Sequence, residues 1–250
     1  MRDRRRHSAV LTILCALGVI ACSGKSPGGS PTTPAPPAPT PPPASPTYDV
    51  DALGVPRFAS NDYIDLGAIQ RISRFRSAVG HEYRDDFESC RSMKHYFEPK
   101  ASVNGSTVAI FAPVAGTVDT LRQEALGLQV VIRSSAQPAF TLAIFHLNPS
   151  LSLAVGTTLS SGQRLGTHIG SQTSSDIAVD VATPRGRKLV SWFQVMSDTV
   201  FQAYAGRGVT SRESTIITQA ERNADPLTCN GDGNFTSAGS GALPDWLVLR

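Results

Sequence analysis

The strongest constraint on the fold is a series of short apolar segments between residues 106 and 183, separated by turn residues. The segments "AFTLAIFHL" and "DIAVDVATPRG" alternate apolar and polar residues, and glycines at 156, 162, 166 and 170 interrupt the stretch between them. Alternation with a period of two is typical of strands that bury one face. Short strands at this spacing predict an antiparallel sheet or sandwich rather than a series of βαβ units.

The last third of the chain has a different pattern. Thr210 with Glu213 three residues later forms a capping-box pattern, which predicts the start of a helix. An earlier helix is predicted to end at Gly206. Its large apolar residues recur at helical spacing: Phe193, Met196, Val200, Phe201 and Tyr204. Residues 69–76 fit both a helical face and a strand. The sequence therefore predicts a mainly β domain with added C-terminal helices.

The N-terminus has the features of an export signal. Basic residues precede an apolar stretch, Ala9 to Ile20, that is shorter than the ~20 residues needed for a membrane span. The stretch ends in "VIAC", which resembles a bacterial lipobox with Cys22 as the lipidated residue. The alternative is an ordinary secretory signal peptide cleaved near the same place. The lipobox interpretation predicts that residues 1–21 are removed, and both interpretations predict that the chain leaves the cytoplasm.

A proline-rich segment follows the predicted anchor. Residues 26–47 contain ten of the eighteen prolines, and such a composition favours polyproline II over a packed core. We interpret residues 22–47 as a lipidated linker that holds a domain of residues 48–250 away from a membrane. A docking ligand for a proline-binding module is the alternative. Without residues 1–47 the domain has 18 basic and 19 acidic residues, a balance that indicates no nucleic-acid partner.

Two of the four cysteines remain in the predicted domain. Cys15 lies in the signal segment and Cys22 is the predicted anchor, which leaves Cys90 and Cys229. In an oxidising compartment two remaining cysteines are expected to pair. Two buried free thiols are the alternative.

The stretch "GHEYRDDFESCRSMKHYF" contains His81 and Asp85 in an H-x-x-x-D spacing. The segments "IFAPVAGTV", "FHL" and "VGTTLSSGQRLGTHIGS" follow in this order. Together, over residues 80–181, they resemble the lysostaphin-type, or LytM-type, zinc peptidases, which cut peptide cross-links of peptidoglycan. The resemblance implies a β-sheet core of the duplicated hybrid motif kind. It also implies that His81 and Asp85 are metal ligands and that His146 assists catalysis.

The chain departs from the family pattern where the family has H-L-H-F-E-V. "DIAVDV" stands there, so Asp176 replaces a catalytic histidine and Ala178 replaces the third metal ligand. An alanine cannot bind zinc. Asp176 and Asp180 are predicted on the same strand face as Ala178, and either could complete the site. The resemblance thus implies a possible zinc site that is incomplete at Ala178. His168 and His95 are further candidates, although their positions are more typical of a turn and of packing.

Three functions remain open from the sequence. The first is a degenerate, lipid-anchored envelope protein that binds peptidoglycan or regulates a cell-wall hydrolase. The second is an active zinc metallo-endopeptidase with a substituted ligand set, in which the metal polarises the peptide carbonyl and activates water. The third is a structural envelope protein.

Overall fold

Strands of one large antiparallel sheet make up most of the structure, a computed structural model that describes residues 45–250. The predicted signal peptide, Cys22 and residues 23–44 lie outside the described residues. The strands are β1 (Ile69–Ser73), β2 (His95–Pro99), β3 (Ala109–Phe111), β4 (Gly116–Glu124), β5 (Gly127–Ser134), β6 (Phe140–Pro149), β7 (Thr158–Leu159), β8 (Arg164–His168), β9 (Ser175–Thr183), β10 (Gly186–Val190), β11 (Thr228–Cys229), β12 (Phe235–Ser237) and β13 (Trp246–Val248). The mainly β, antiparallel fold predicted from the alternating segments is confirmed.

β9 lies in the middle of the sheet and organises it. The sheet runs in the order β13-β1-β2-β9-β6-β5-β4-β7, with β10 also paired to β9 and with β8 paired to β3 and β6. Across β2 and β9, Tyr96 lies opposite Asp176. Across β6 and β9, Ala143 lies opposite Ala178. Directly opposed residues share a face of the sheet, so the polar residues of "DIAVDV" all lie on one side.

The other side of the sheet carries the main hydrophobic core. Ile177, Val179 and Val181 of β9 point into it, as the alternation predicts. The helices are α1 (Val50–Leu53), α2 (Trp192–Val195), α3 (Asp198–Ala205) and α4 (Gln219–Ala224), with 3-10 turns at Leu66–Ala68, Gly105–Thr107 and Glu213–Thr215. Residues of α1, α2 and α3 belong to the core on this side. Trp192 and Tyr204 are fully buried, so the predicted C-terminal helical residues do supply core.

The predicted capping box at Thr210 and Glu213 is wrong. Glu213 begins a 3-10 turn that has no side-chain cap, and the true box joins Thr218 and Glu221 at the start of α4. The reason is tertiary pairing. The chain between the two positions is extended, because the N–H of Ile217 donates to the carbonyl of Phe75 at 2.9 Å.

A disulfide bond joins Cys90 to Cys229, as predicted. It ties the loop before β2 to β11. Within residues 45–250, no helix combines the length and apolar character needed to cross a bilayer.

Candidate functional site

A buried polar cluster lies on the open face of the sheet, where β2, β6, β8 and β9 meet. Asp176 of β9 is its centre and is 0% exposed. Its carboxylate forms an ion pair with the ammonium of Lys94, the residue before β2, which is 2% exposed. Burial alone favours a neutral amine, but the Asp176 carboxylate and Tyr96 outweigh it and raise the pKa of Lys94 above its ordinary value. The pair therefore carries one buried cation and one buried anion.

His146 contacts the other side of the Asp176 carboxylate. Its Nε2 lies 3.3 Å from Asp176 Oδ1, while its Nδ1 donates to the carbonyl of Leu126 at 2.8 Å. The backbone of His146 is left-handed, with φ of 59°, which costs on the order of 1–3 kcal/mol for a residue other than glycine. His146 lies just beyond the part of β6 that pairs with β9. The chain thus tolerates strain at the residue whose ring contacts Asp176.

His168, at the end of β8, lies behind His146. The two ring centroids are 6.3 Å apart and the rings are perpendicular. His168 Nδ1 accepts from the N–H of Gly170 at 3.3 Å, and its buried Nε2 has no hydrogen-bond partner among residues 45–250. Burial first, and His146 second, lower the pKa of His168 to about 4. His168 is therefore a neutral member of the cluster rather than only a turn residue.

His81 approaches the cluster from the exposed loop before β2. Its Nδ1 donates to the carbonyl of Glu82 at 2.8 Å, and its Nε2 lies 3.4 Å from the Lys94 Nζ. Gly80 permits this approach. It has a φ of +73°, and a Cβ placed on it would lie 2.1 Å from the Tyr96 hydroxyl. The chain can reach over Tyr96 here because glycine has no side chain.

Asp85 is not directed at the cluster. Its Oδ1 accepts from the N–H groups of Phe87 and Glu88, each at 2.8 Å. Its Oδ2 accepts from the N–H of Leu189 at 2.9 Å. Both oxygens are therefore engaged by the backbone, in the manner of an aspartate that caps a turn and fastens it to a strand.

The side chains of Ala178 and Asp180, also in "DIAVDV", have partners other than the Asp176–Lys94 pair. Ala178 is buried in a small apolar cluster with Ala143 and Phe145. Asp180 forms an ion pair with Arg187. Burial raises the pKa of Asp180, and the Arg187 guanidinium only partly opposes this.

These contacts do not suit a zinc ion. Zinc needs three or four N, O or S donors that converge, and the part of the chain that the structure describes contains no group of three His, Cys, Asp or Glu arranged to hold a metal. The structure brings His81 and Asp176 to Lys94, and it brings His146 to Asp176. Asp85 and Asp180 have other partners. His81 Nε2 and the Asp176 carboxylate therefore face an ammonium.

Beside this cluster, the same face of the sheet forms a groove of about 430 Å³. β4, β5, β6 and β9 line its floor, and Tyr83 lies at the end next to the cluster. Three arginines line it: Arg122, Arg133 and Arg187. Arg133 pairs with Asp119 at 2.7 Å, and the side chain of Arg122 forms no hydrogen bond or ion pair with any residue in 45–250. The groove therefore presents three guanidinium groups beside the Asp180 carboxylate.

Sequence reasoning missed Lys94 and undervalued His168. Lys94 interrupts an otherwise apolar run, "MKHYF", and a charge in such a run needs a buried partner. That signal was present but could not identify the partner. His95, in the same run, is a satisfied core histidine. Ser73 O and Ser191 Oγ lie 2.8 Å from its two ring nitrogens, and burial lowers its pKa to about 4.

Comparison with solved structures gives partial matches. Over part of its length the chain is similar to LytM-type proteins. It is 12% identical to a LytM protein from Ruminococcus gnavus ATCC 29149, with a TM-score of 0.33, covering 41% of this chain and 43% of that one. For lysostaphin the identity is 16%, the TM-score 0.32 and the coverage 64% and 65%. For the SpoIIQ–SpoIIIAH pore-forming complex the identity is 12% and the TM-score 0.40, and the match covers 59% of this chain and 96% of that one.

The chain thus spans less than half of the R. gnavus protein. All three TM-scores are below 0.5, so the likeness carries no argument about activity. No protein-family model matches the chain. A search of curated proteins also finds no match.

Proposed function

We propose that this chain is a lipid-anchored envelope protein whose LytM-like domain binds peptidoglycan peptides without cutting them. The observation that carries the proposal is the state of the three positions at which the resemblance places metal ligands. Asp85 has both oxygens bound by backbone N–H groups. Ala178 has no donor atom, and His81 Nε2 faces Lys94. Asp85 thus cannot ligate without rearrangement, Ala178 cannot ligate at all, and His81 faces a cation.

The arginine-lined groove supports binding. Peptidoglycan stem peptides are extended and carry carboxylates, which arginine recognises well. Arg122 has no side-chain partner within the described part of the chain. Arg133 can exchange its bond to Asp119 for a ligand carboxylate, because that pair is half-exposed.

Co-sedimentation of the full mature chain with peptidoglycan sacculi tests the binding. Replacing Arg122 and Arg133 together with alanine should weaken binding by about tenfold or more, since each arginine offers charge-assisted hydrogen bonds. Arg57→Ala is the matched control, because Arg57 pairs with Asp198 and does not line the groove. Wild-type protein that stays in the supernatant contradicts the proposal. Stimulation of an added cell-wall hydrolase by that protein would support the regulatory alternative instead.

Muropeptide release from the same sacculi tests the absence of hydrolysis. The proposal expects no new peptides with added Zn²⁺ or with a chelator. Zinc-dependent release that is lost in His81→Ala would establish the metallo-endopeptidase alternative.

The lipid anchor is tested separately, since it concerns residues outside the described part. We expect radiolabelled palmitate to be incorporated into the wild-type chain in a bacterial host and not into Cys22→Ala. An unlabelled wild-type chain that begins near residue 22 would indicate an ordinary secretory signal.

A further inference from the structure

The groove on the open face of the sheet has two different ends. Arg133 of β5 lies opposite Thr141 of β6, and Thr141 lies opposite Asp180 of β9. Within residues 45–250, Asp180 is the one acidic residue that lines the groove. Gln129 lies four residues before Arg133 on β5, which is about 13 Å along a strand. The Gln129 end of the groove is therefore separated from the carboxylate that lines the other end.

Arg122 and Gln129 form this second end. The two residues lie directly opposite each other across β4 and β5, so their side chains share a face of the sheet, and both line the groove. Gln129 is 6% exposed, yet its carboxamide forms no hydrogen bond with any residue in 45–250. A buried amide at the groove wall is therefore free to bond with a ligand.

Arg122 adds a positive charge to this end. Its exposed guanidinium has five donors in a planar fork that matches a carboxylate, and it has no ion pair within residues 45–250. Glu124 lies two residues further along β4, but it does not pair with Arg122 and does not line the groove. The guanidinium and the Gln129 amide thus present donors to the groove without a protein carboxylate between them.

The floor between the two ends is apolar. Val131 lies two residues from Gln129 and two from Arg133, and it is opposite Ala143 of β6. Both residues line the groove, and both side chains are small. This part of the floor suits the small apolar side chains of a peptide.

We infer that Arg122 and Gln129 together form a subsite for the free carboxylate of a short peptide. The peptide lies over Val131 and Ala143. The inference rests on the proposed function, because it names the group that the same groove recognises. A free carboxylate accepts from the guanidinium and from the NH₂ of Gln129, and it neutralises the Arg122 charge. The corresponding carboxamide has one acceptor oxygen and no charge, so it should bind more weakly.

NMR titration of the full mature chain with matched peptides tests the inference. The first pair is N-acetyl-alanyl-alanine and its C-terminal amide, which differ only in a terminal carboxylate. The second pair is the amides of N-acetyl-alanyl-glutamate and N-acetyl-alanyl-glutamine, which differ only in a side-chain carboxylate. We expect the acid member of at least one pair to bind about tenfold more tightly than its amide. The pair that shows this difference identifies the carboxylate that the groove binds.

Variants of Gln129 separate recognition from packing. Gln129→Glu keeps the size of the side chain and places a carboxylate opposite Arg122, where it should pair with the guanidinium and repel the ligand. Binding of the acid peptide should fall about tenfold or more, while binding of the amide changes little. Gln129→Ala removes only a neutral hydrogen bond and should weaken the acid peptide about fivefold.

Two further variants complete the test. Gln194→Glu is the matched control, because it is the same substitution on α2, outside the groove, and the new side chain keeps an acceptor for the N–H of Ser191. It should bind both peptides as the wild type does. Arg122→Gln covers the case in which Gln129→Glu does not fold, since Arg122 is exposed. It should also weaken the acid peptide about tenfold.

Equal affinity for acid and amide in both pairs would overturn the inference. Acid binding that is unchanged in both Gln129→Glu and Arg122→Gln would overturn it too. Either result leaves the proposed function intact if the wild type still co-sediments with sacculi. A wild type that selects an acid peptide and yet stays in the supernatant would contradict the proposed function and support the carboxylate subsite.

Discussion

Two buried clusters of opposite charges in this molecule are built differently. In the first, Glu88 receives Arg76 on both oxygens, at 2.8 and 2.5 Å, and Arg91 at 2.6 Å. In the second, Asp176 has one lysine and no aligned hydrogen bond among the residues described. The first cluster satisfies its carboxylate fully. The second leaves it dependent on a single ammonium.

This difference distinguishes the Glu88 cluster, which stabilises the fold, from the Asp176 cluster, which is a candidate functional site. Glu88 lies two residues before the disulfide at Cys90, and its arginines also bind backbone or neighbouring side chains. The contacts of the Glu88 cluster serve only the stability of the fold. In the Asp176 cluster the Tyr96 hydroxyl and His168 Nε2 have no hydrogen-bond partner among residues 45–250, which is costly for stability. Such costs are expected where an arrangement is kept for a purpose other than packing.

The largest expected effect is loss of the disulfide next to the Glu88 cluster. The two cysteines are 139 residues apart, so in the chain-entropy model the bond contributes about 5 kcal/mol. Cys90→Ser with Cys229→Ser should lower the free energy of unfolding in urea by up to that amount. A reductant should lower the wild type to the same value and leave the double variant unchanged. A double variant as stable as the oxidised wild type would contradict this.

The next effect concerns the Asp176 cluster. Asp176→Ala leaves the Lys94 ammonium buried without a counter-charge, which should cost about 3–5 kcal/mol. Urea unfolding followed by tryptophan fluorescence measures it. The matched control is Asp119→Ala, which breaks the half-exposed pair with Arg133 and should cost about 1 kcal/mol or less. Equal losses in the two variants would show that Lys94 reaches water and that the two pairs are alike.

The sequence predicted the sheet well because its signal is local. The alternation in "DIAVDV" is sufficient to place Ile177 in the core and Asp176 on the other face. The disulfide was predictable too, since the export signal left only Cys90 and Cys229 to pair. The false capping box shows the limit of local patterns. Thr210 and Thr218 are each followed three residues later by glutamate, and only pairing with Phe75 decides between them.

The site was less predictable because its contacts are long-range. His81 and Asp85 have a ligand spacing, yet Asp85 is used by backbone N–H groups, one of them from Leu189. Nothing near Lys94 in the sequence indicates that Asp176 neutralises it. Asp180, the residue predicted to complete the metal site, is paired with Arg187.

The smallest expected effect concerns how the free energy of unfolding depends on pH through the Glu88 cluster. Burial raises the pKa of Glu88, but the hydrogen bonds and charges of Arg76 and Arg91 outweigh it, so the folded pKa lies below the ordinary 4.5. A carboxyl with a lowered pKa stabilises the fold above its unfolded pKa. That stabilisation is lost as pH falls through the folded value. The free energy of unfolding should therefore decline below about pH 4.5, and Glu88→Gln should reduce this slope. If Glu88→Gln kept the full acid slope, the arginines would be solvated and the Glu88 cluster would resemble a surface pair rather than a buried one.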